Sequence, residues 1–198
     1  MQSQAEPYGL RERKKARTRE AIQEHALALF AERGYDATTV DAIAAAAEVS
    51  PSTFFRYFPT KEDVVLHDRY DPLLLGAFDA QPPELGVIAA LRATMQEVLG
   101  SLPAEEVERE RQRATLILSV PELRARSLDQ LASTMAAFAS EIAQRAGRDA
   151  EDPAVRNMTG ALIGVSLAAL LGAAADPASS YLELLDASLA HLEAGLPL

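Results

Sequence analysis

The sequence predicts an all-α protein of about nine helices, with a small N-terminal head containing a helix-turn-helix and a larger helical body behind it. Three observations carry this. Alternating apolar and polar runs of strand type are missing, and β-branched residues are sparse. Apolar residues recur instead at three- and four-residue steps. At four of the breaks between segments, Pro stands just inside the next helix start, where its missing N–H does no harm.

The elements follow in order. Ala21, Ile22, His25, Ala26, Leu29 and Phe30 put one apolar face on a first helix from Leu10 to Arg33, with His25 among the packed residues. Gly34 then stands where a left-handed terminating residue belongs. Thr39 is a good N-cap for a short second helix over residues 40–47, and Ser50 followed by Pro51 opens a third that ends before Pro59. Thr60 with Asp63 three residues on is a capping-box variant that opens a fourth. The Pro82-Pro83 pair precedes a helix over residues 84–100. Pro103 opens one to about Ser119, Pro121 a long one to about Arg148, and Pro153 one ending near Asp176-Pro177. The last runs over residues 178–194. The head is placed at residues 1–59 and the body at residues 60–198.

Charge is distributed unevenly. The chain carries a net charge of −10. Yet Arg11, Arg13, Lys14, Lys15, Arg17 and Arg19 face only Glu12 within their stretch. A solvated helix start is the ordinary explanation of such a run. Beside a helix-turn-helix, phosphate contact is the better one, with the acidic body kept away from DNA.

Residues 34–61 carry the chemistry. Two short helices joined at Ala47-Glu48-Val49 have helix-turn-helix dimensions. Val40, Ile43, Ala44 and Ala47 face Val49, Phe54 and Phe58 as a miniature core, which turns the start of the third helix outward. Ser50, Ser52 and Thr53 are short hydroxyl donors suited to phosphate. Arg56 has the fork that pairs with guanine in the major groove, Tyr57 suits a sugar or phosphate, and Lys61 adds a charge.

These residues resemble the DNA-binding signature of the tetracycline-repressor (TetR) family. The resemblance lies in Ala26-x-x-Leu29-Phe30-x-x-x-Gly34-Tyr35, then Thr38-Thr39-Val40-x-x-Ile43-Ala44, then Val49-Ser50-x-x-Thr53-Phe54-Phe55-Arg56-Tyr57-Phe58-x-x-Lys61-Glu62-Asp63-Val64. The Thr-Phe-Phe-Arg-Tyr-Phe string is similar to a subset that includes regulators linked to the mycofactocin system. The resemblance implies a dimeric repressor of the bacterial cytoplasm that binds a double-stranded palindromic operator and is released by a small hydrophobic or amphipathic effector. It also implies that Thr39, Ser50, Pro51, Ser52, Thr53, Phe55, Arg56, Tyr57 and Lys61 face DNA, and Arg19 of the basic run is expected to join them. Two positions depart from the family pattern. Phe55 replaces a Tyr whose hydroxyl meets a phosphate. Glu48 replaces a turn Gly, where a side chain at positive φ costs about 1 kcal/mol.

The body offers apolar residues rather than a motif. Phe78, Met95, Leu99, Leu116, Met135, Phe138, Met158 and Leu162 suit either a filled core or the lining of a pocket. Residues 157–175 carry no charge. Their Ala and Gly content, and the lack of flanking Lys/Arg clusters, favour a fully buried helix of a bundle over a membrane span. Gly164, Val165 and Ala168 there, with Leu182, Leu185 and Leu189 of the last helix, suit packing within a subunit. The resemblance implies instead a dimer seam made by the last two helices. The charged run from Glu105 to Arg113 is most simply a solvated, ion-paired face, or else it brings Arg113 inside.

Other classes find little support. The chain has no Cys, and no nucleophile elbow, phosphate loop or metal motif is present, so neither an enzyme nor a cofactor or metal is expected. His67 and Asp71 share a helix face but lack further ligands. The first twenty residues are polar and then basic, unlike an export signal. The remaining competitor is a helical adaptor whose head binds protein. Arg56 beside a hydroxyl-rich helix start argues against it, because it predicts salt-dependent, base-specific binding.

Overall fold

The structure, a computed structural model, describes residues 9–176 and 178–198; Pro177, at the expected end of the uncharged helix, lies outside them. Among the described residues every regular element is helical. The order is α1 (Leu10–Arg33), α2 (Val40–Ala46), α3 (Pro51–Tyr57), α4 (Lys61–Leu66), α5 (Asp71–Asp79), α6 (Val87–Val98), α7 (Ala104–Ser119), α8 (Pro121–Ala146), α9 (Pro153–Ala175) and α10 (Tyr181–Glu193). Pro51, Pro121 and Pro153 occupy first-turn positions, and Pro103 stands one step outside, as N-cap of α7. The count exceeds the expected nine because the segment after Thr60 is two helices. Pro72 opens the second, and the Asp68 carboxylate accepts from the Tyr70 and Asp71 N–H groups where the chain turns.

The chain divides after His67 rather than after Pro59. In the first unit α2 and α4 both pack on α1, and α3 packs on α2. Ile22, Ala26, Phe30, Ile43, Ala44, Phe54, Phe58, Val64 and Val65 form its core. The buried Gln23 explains why α4 belongs here. Its amide donates to the carbonyls of Val64 (2.9 Å) and His67 (2.8 Å), pinning the end of α4 to α1. The buried face of α1 is therefore centred on Ile22, Gln23, Ala26 and Leu27. His25 is exposed, contrary to the sequence expectation, because the amide and not the imidazole takes the inward position.

In the second unit α9 packs against α10, α8 and α7, and α6 against α5 and α10. Ala90, Leu91, Met95, Ile142, Val155, Leu162, Leu185 and Leu189 lie in its core. The α9 helix is not fully buried, as its composition had suggested. Val155, Thr159, Leu162, Ala169 and Ala173 face inward, while Gly160, Gly164, Leu167, Ala168, Leu171, Gly172 and Ala175 are exposed. It is, among the described residues, the one helix long and apolar enough to cross a membrane by length and composition.

Candidate nucleic-acid interface

The N-caps place the recognition segment. The Thr39 hydroxyl accepts from the Ala42 N–H (3.2 Å) and starts α2. After α2 the chain reverses with Glu48 at φ 54°, and Val49 donates back to the Ala44 carbonyl at 2.9 Å. This is the left-handed closure that usually takes Gly. The Ser50 hydroxyl then accepts from the Thr53 N–H (3.1 Å), donates to the Thr53 hydroxyl (2.9 Å) and lies 3.0 Å from that of Ser52. Three hydroxyls thus cluster at the mouth of α3.

Helical spacing sorts the rest of α3. Phe54 and Phe58, four residues apart, are buried with ring centroids 6.1 Å apart, beside Ile43 and Ala44. Pro51, Ser52, Phe55 and Arg56 are exposed on the other side, and Thr53 and Tyr57 are half-buried between the two faces. Phe55 is 52% exposed, unusual for so large an apolar ring, and meets Phe54 edge-on at 5.4 Å. Together these groups make a hydroxyl-rich, cationic and aromatic surface on a helix held from behind by two phenylalanines.

Two of the candidate cations are also engaged within the fold. The Arg19 guanidinium lies 6.0 Å from the Tyr57 ring centroid and 5.9 Å from that of Phe58, and its buried Nε has no hydrogen-bond partner. It therefore braces α3 against α1 as well as adding charge. Lys61 is turned inward. Its ammonium donates to the carbonyls of Tyr35 (2.9 Å) and Thr38 (3.2 Å) and sits 4.0 Å from the Tyr35 ring centroid, which commits two of its three N–H bonds. The Tyr35 hydroxyl in turn donates to Glu62 at 2.8 Å. This lattice joining the start of α4 to the α1–α2 loop had no signal in the apolar pattern. Arg56 lies 5.5 Å from the Tyr57 ring. Arg11, Arg13, Lys14, Lys15 and Arg17 line an exposed stretch of α1.

In the body the structure sorts the remaining candidates. Phe78, Met95 and Leu162 are buried in one apolar cluster, and Leu99, Phe138 and Met158 are half-buried against it. Leu116 and Met135, half-buried on α7 and α8, are not part of that cluster. Gly164 and Ala168 are exposed, while Val165 and Leu182 are half-buried against the core. Leu185 and Leu189 are both 0% exposed. They lie in the subunit's own core, toward which the α10 leucine stripe faces.

The 105–113 run is not a solvated face throughout. Glu108 and Arg111 pair in the open, and the hydrogen bonds from Arg111 and Gln112 hold the Glu108 carboxyl down at about 2. Arg113 points inward, between Asp68 (2.8 Å) and Glu110 (2.8 Å). Burial opposes its charge, but the two carboxylates more than offset this and raise its pKa. Burial, with the Asp68 charge, pushes the Tyr181 hydroxyl up to about 12. The Asp68 carboxylate is thus engaged by an arginine and two backbone N–H groups. The described residues hold no group of three or more His, Asp or Glu arranged for a metal.

Comparison with known proteins covers both units. Residues 22–67 match the family described as bacterial regulatory proteins, tetR family, and residues 85–197 match the MftR C-terminal domain. The chain is 31% identical over 186 residues to a protein of Mycobacterium tuberculosis named as the mycofactocin biosynthesis transcriptional regulator MftR, covering 93% of each. It is 41% identical over 102 residues to the HTH-type transcriptional regulator TcmR of Streptomyces glaucescens, a match spanning half of this chain and 45% of that one. Among solved structures, it superposes on the Thermus thermophilus repressor FadR, determined with lauroyl-CoA. The TM-score is 0.54 at 29% identity, over 91% of this chain and 95% of that one.

Proposed function

The chain belongs to the TetR family of DNA-binding transcriptional regulators, and from that premise we propose that it is a homodimeric repressor of the bacterial cytoplasm, bound to a two-fold operator and released by a small hydrophobic or amphipathic effector. Its relatives are named as regulators, not as enzymes. The observation that carries the proposal is the outward face of α3. Its exposed Arg56 stands beside the Ser50, Ser52 and Thr53 hydroxyls, while Phe54 and Phe58 fix the helix from behind. Arg56 is the base reader, forked onto guanine; the hydroxyls and the α1 basic run take phosphate. Phe55 has no hydroxyl to offer and packs on a sugar or a thymine methyl.

Support for the dimer comes from α9. A Cβ added at Gly160 or Gly164 would meet nothing within 4 Å inside the subunit. Glycine costs a helix about 1 kcal/mol relative to alanine, and among the described residues nothing accounts for it here. A second backbone approaching closely along Gly160, Gly164, Ala168 and Leu171 does account for it, and would cover the exposed Leu167 and Leu171 as well. Such a dimer carries its two recognition helices to successive major grooves about 34–36 Å apart. The effector site is placed among the apolar side chains around Phe78, Met95, Phe138 and Met158. The lauroyl-CoA held by the Thermus thermophilus relative is a molecule of the proposed amphipathic kind. An effector favouring another arrangement of the body would weaken operator binding by a coupling of about 1–3 kcal/mol.

The test is selection of genomic fragments by the purified protein, with Arg56→Ala in parallel. The wild type is expected to enrich a short two-fold symmetric sequence. The variant is expected to lose about 1–3 kcal/mol of affinity for it while keeping its salt-dependent binding to unrelated DNA. Equal enrichment by both proteins would remove Arg56 as the base reader. No enrichment at any salt concentration would remove the operator itself.

A further inference from the structure

Of the six phenylalanines, Phe30, Phe54, Phe58 and Phe78 are buried and Phe138 is half-buried. Phe55 alone is exposed. A ring left in water forgoes the free energy of burial, so its position on the outward face of α3 calls for a partner. The ring does not swing free. It meets the Phe54 ring edge-on, with centroids 5.4 Å apart and planes at 87°. Phe54 is itself fully buried, beside Ile43 and Ala44. Phe55 thus stands on a fixed base, and little order has to be imposed on it when it binds.

Helical spacing decides what the ring meets. Ser52, Phe55 and Arg56 stand at i, i+3 and i+4 and are all exposed, so they share one facet. The Ser50 and Thr53 hydroxyls, bonded to each other at 2.9 Å, gather at the mouth of the helix. In the proposed complex the facet that carries the Arg56 fork faces the base edges, and the ring goes there with it. Major-groove edges are rich in hydrogen-bonding groups, and the 5-methyl group of thymine is the apolar exception. An adenine or cytosine amino group pressed against the ring would lose water and gain no acceptor, which is costly. A phosphate would gain nothing either. The Tyr of the family pattern offers it a hydroxyl, and Phe55 has none.

We infer that Phe55 is a second base reader, which recognises a thymine by its 5-methyl group in the major groove. This rests on the proposed function above and adds one base to it. Consecutive Cα atoms lie about 3.8 Å apart, close to the rise of one base pair. The thymine therefore lies within about two base pairs of the guanine taken by Arg56. The hydroxyl lost from the family pattern is a phosphate contact exchanged for a sequence preference.

The experiment uses the full-length protein and the two-fold operator obtained by selection. The operator is synthesised with deoxyuridine replacing one thymine at a time in each half-site. Uracil pairs with adenine as thymine does and lacks only the methyl group. At one position the wild type is expected to bind about fourfold more weakly per half-site, the worth of one buried methyl group. That position should lie within about two base pairs of the guanine to which Arg56→Ala has become indifferent. Phe55→Ala is expected to bind the thymine operator about as weakly as the wild type binds the uracil one, and to make no distinction between the two. It should keep the wild-type response at the guanine. Its thermal midpoint should stay within a few degrees of the wild type's, since the side chain is exposed. The uracil series on the wild type needs no variant at all. The absence of a uracil-sensitive position near the guanine would overturn the inference and leave the proposed function standing. So would a uracil penalty that persists in Phe55→Ala. A wild type that selects no two-fold sequence would overturn both.

Discussion

Glu48 holds a left-handed backbone at φ 54° with its side chain exposed. Among the described residues no hydrogen bond or ion pair ties the side chain down, so the strain has no return within the fold. Glu48→Gly is expected to raise stability by about 0.5–1 kcal/mol, seen as a thermal midpoint a few degrees higher. A lower midpoint would show that the turn accommodates the carboxylate without strain. This residue was legible in advance through the family resemblance, which places a turn Gly at this position. Lys61 was not. A cation at a helix start near DNA reads as a phosphate contact. Only the fold brings the Tyr35 and Thr38 carbonyls within 2.9 and 3.2 Å of its ammonium. Arg113 is a similar case: its inward course depends on Asp68, 45 residues away.

At the scale of elements, the bounds of α1, α3 and α8 follow from punctuation that acts locally: Gly34, the Ser50-Pro51 pair, Pro121 and Gly147. Which face a helix buries is less local. On α1 the apolar pattern favours His25 over Gln23, yet two carbonyls at the end of α4 need donors, and the amide supplies both. Gln23→Leu, which matches in size but not in chemistry, is expected to destabilise the protein by about 1–3 kcal/mol in urea unfolding, by leaving buried acceptors unpaired. A loss below about 0.5 kcal/mol would mean that water reaches those carbonyls. The break between α4 and α5 was missed for a related reason. Pro72 announces a helix start, but an Asp68 side chain capping the next segment looks, in sequence, like one more helical residue.

For the whole molecule, the proposed pairing of subunits rests on the exposed side of α9, and Ala168→Glu tests it. The variant chain should fold, since Ala168 is exposed in the subunit. Sedimentation should then show monomers where the wild type is dimeric, with loss of two-fold operator binding. A variant still dimeric at micromolar concentration would move the seam elsewhere. The fold class was legible because it depends on period and punctuation. The burial of Leu185 and Leu189 was not legible, because they carry the same periodic signal whether they close the subunit's core or join two subunits. The bare glycines of α9 have one more consequence. In the proposed dimer, a seam with no side chain at Gly160 and Gly164 would accept only a partner that comes equally near. A sister protein with leucine or phenylalanine there would be held off by the width of a side chain, its flanking surfaces left wet. In the proposed dimer the missing side chains would thus favour the pairing of each chain with its own kind.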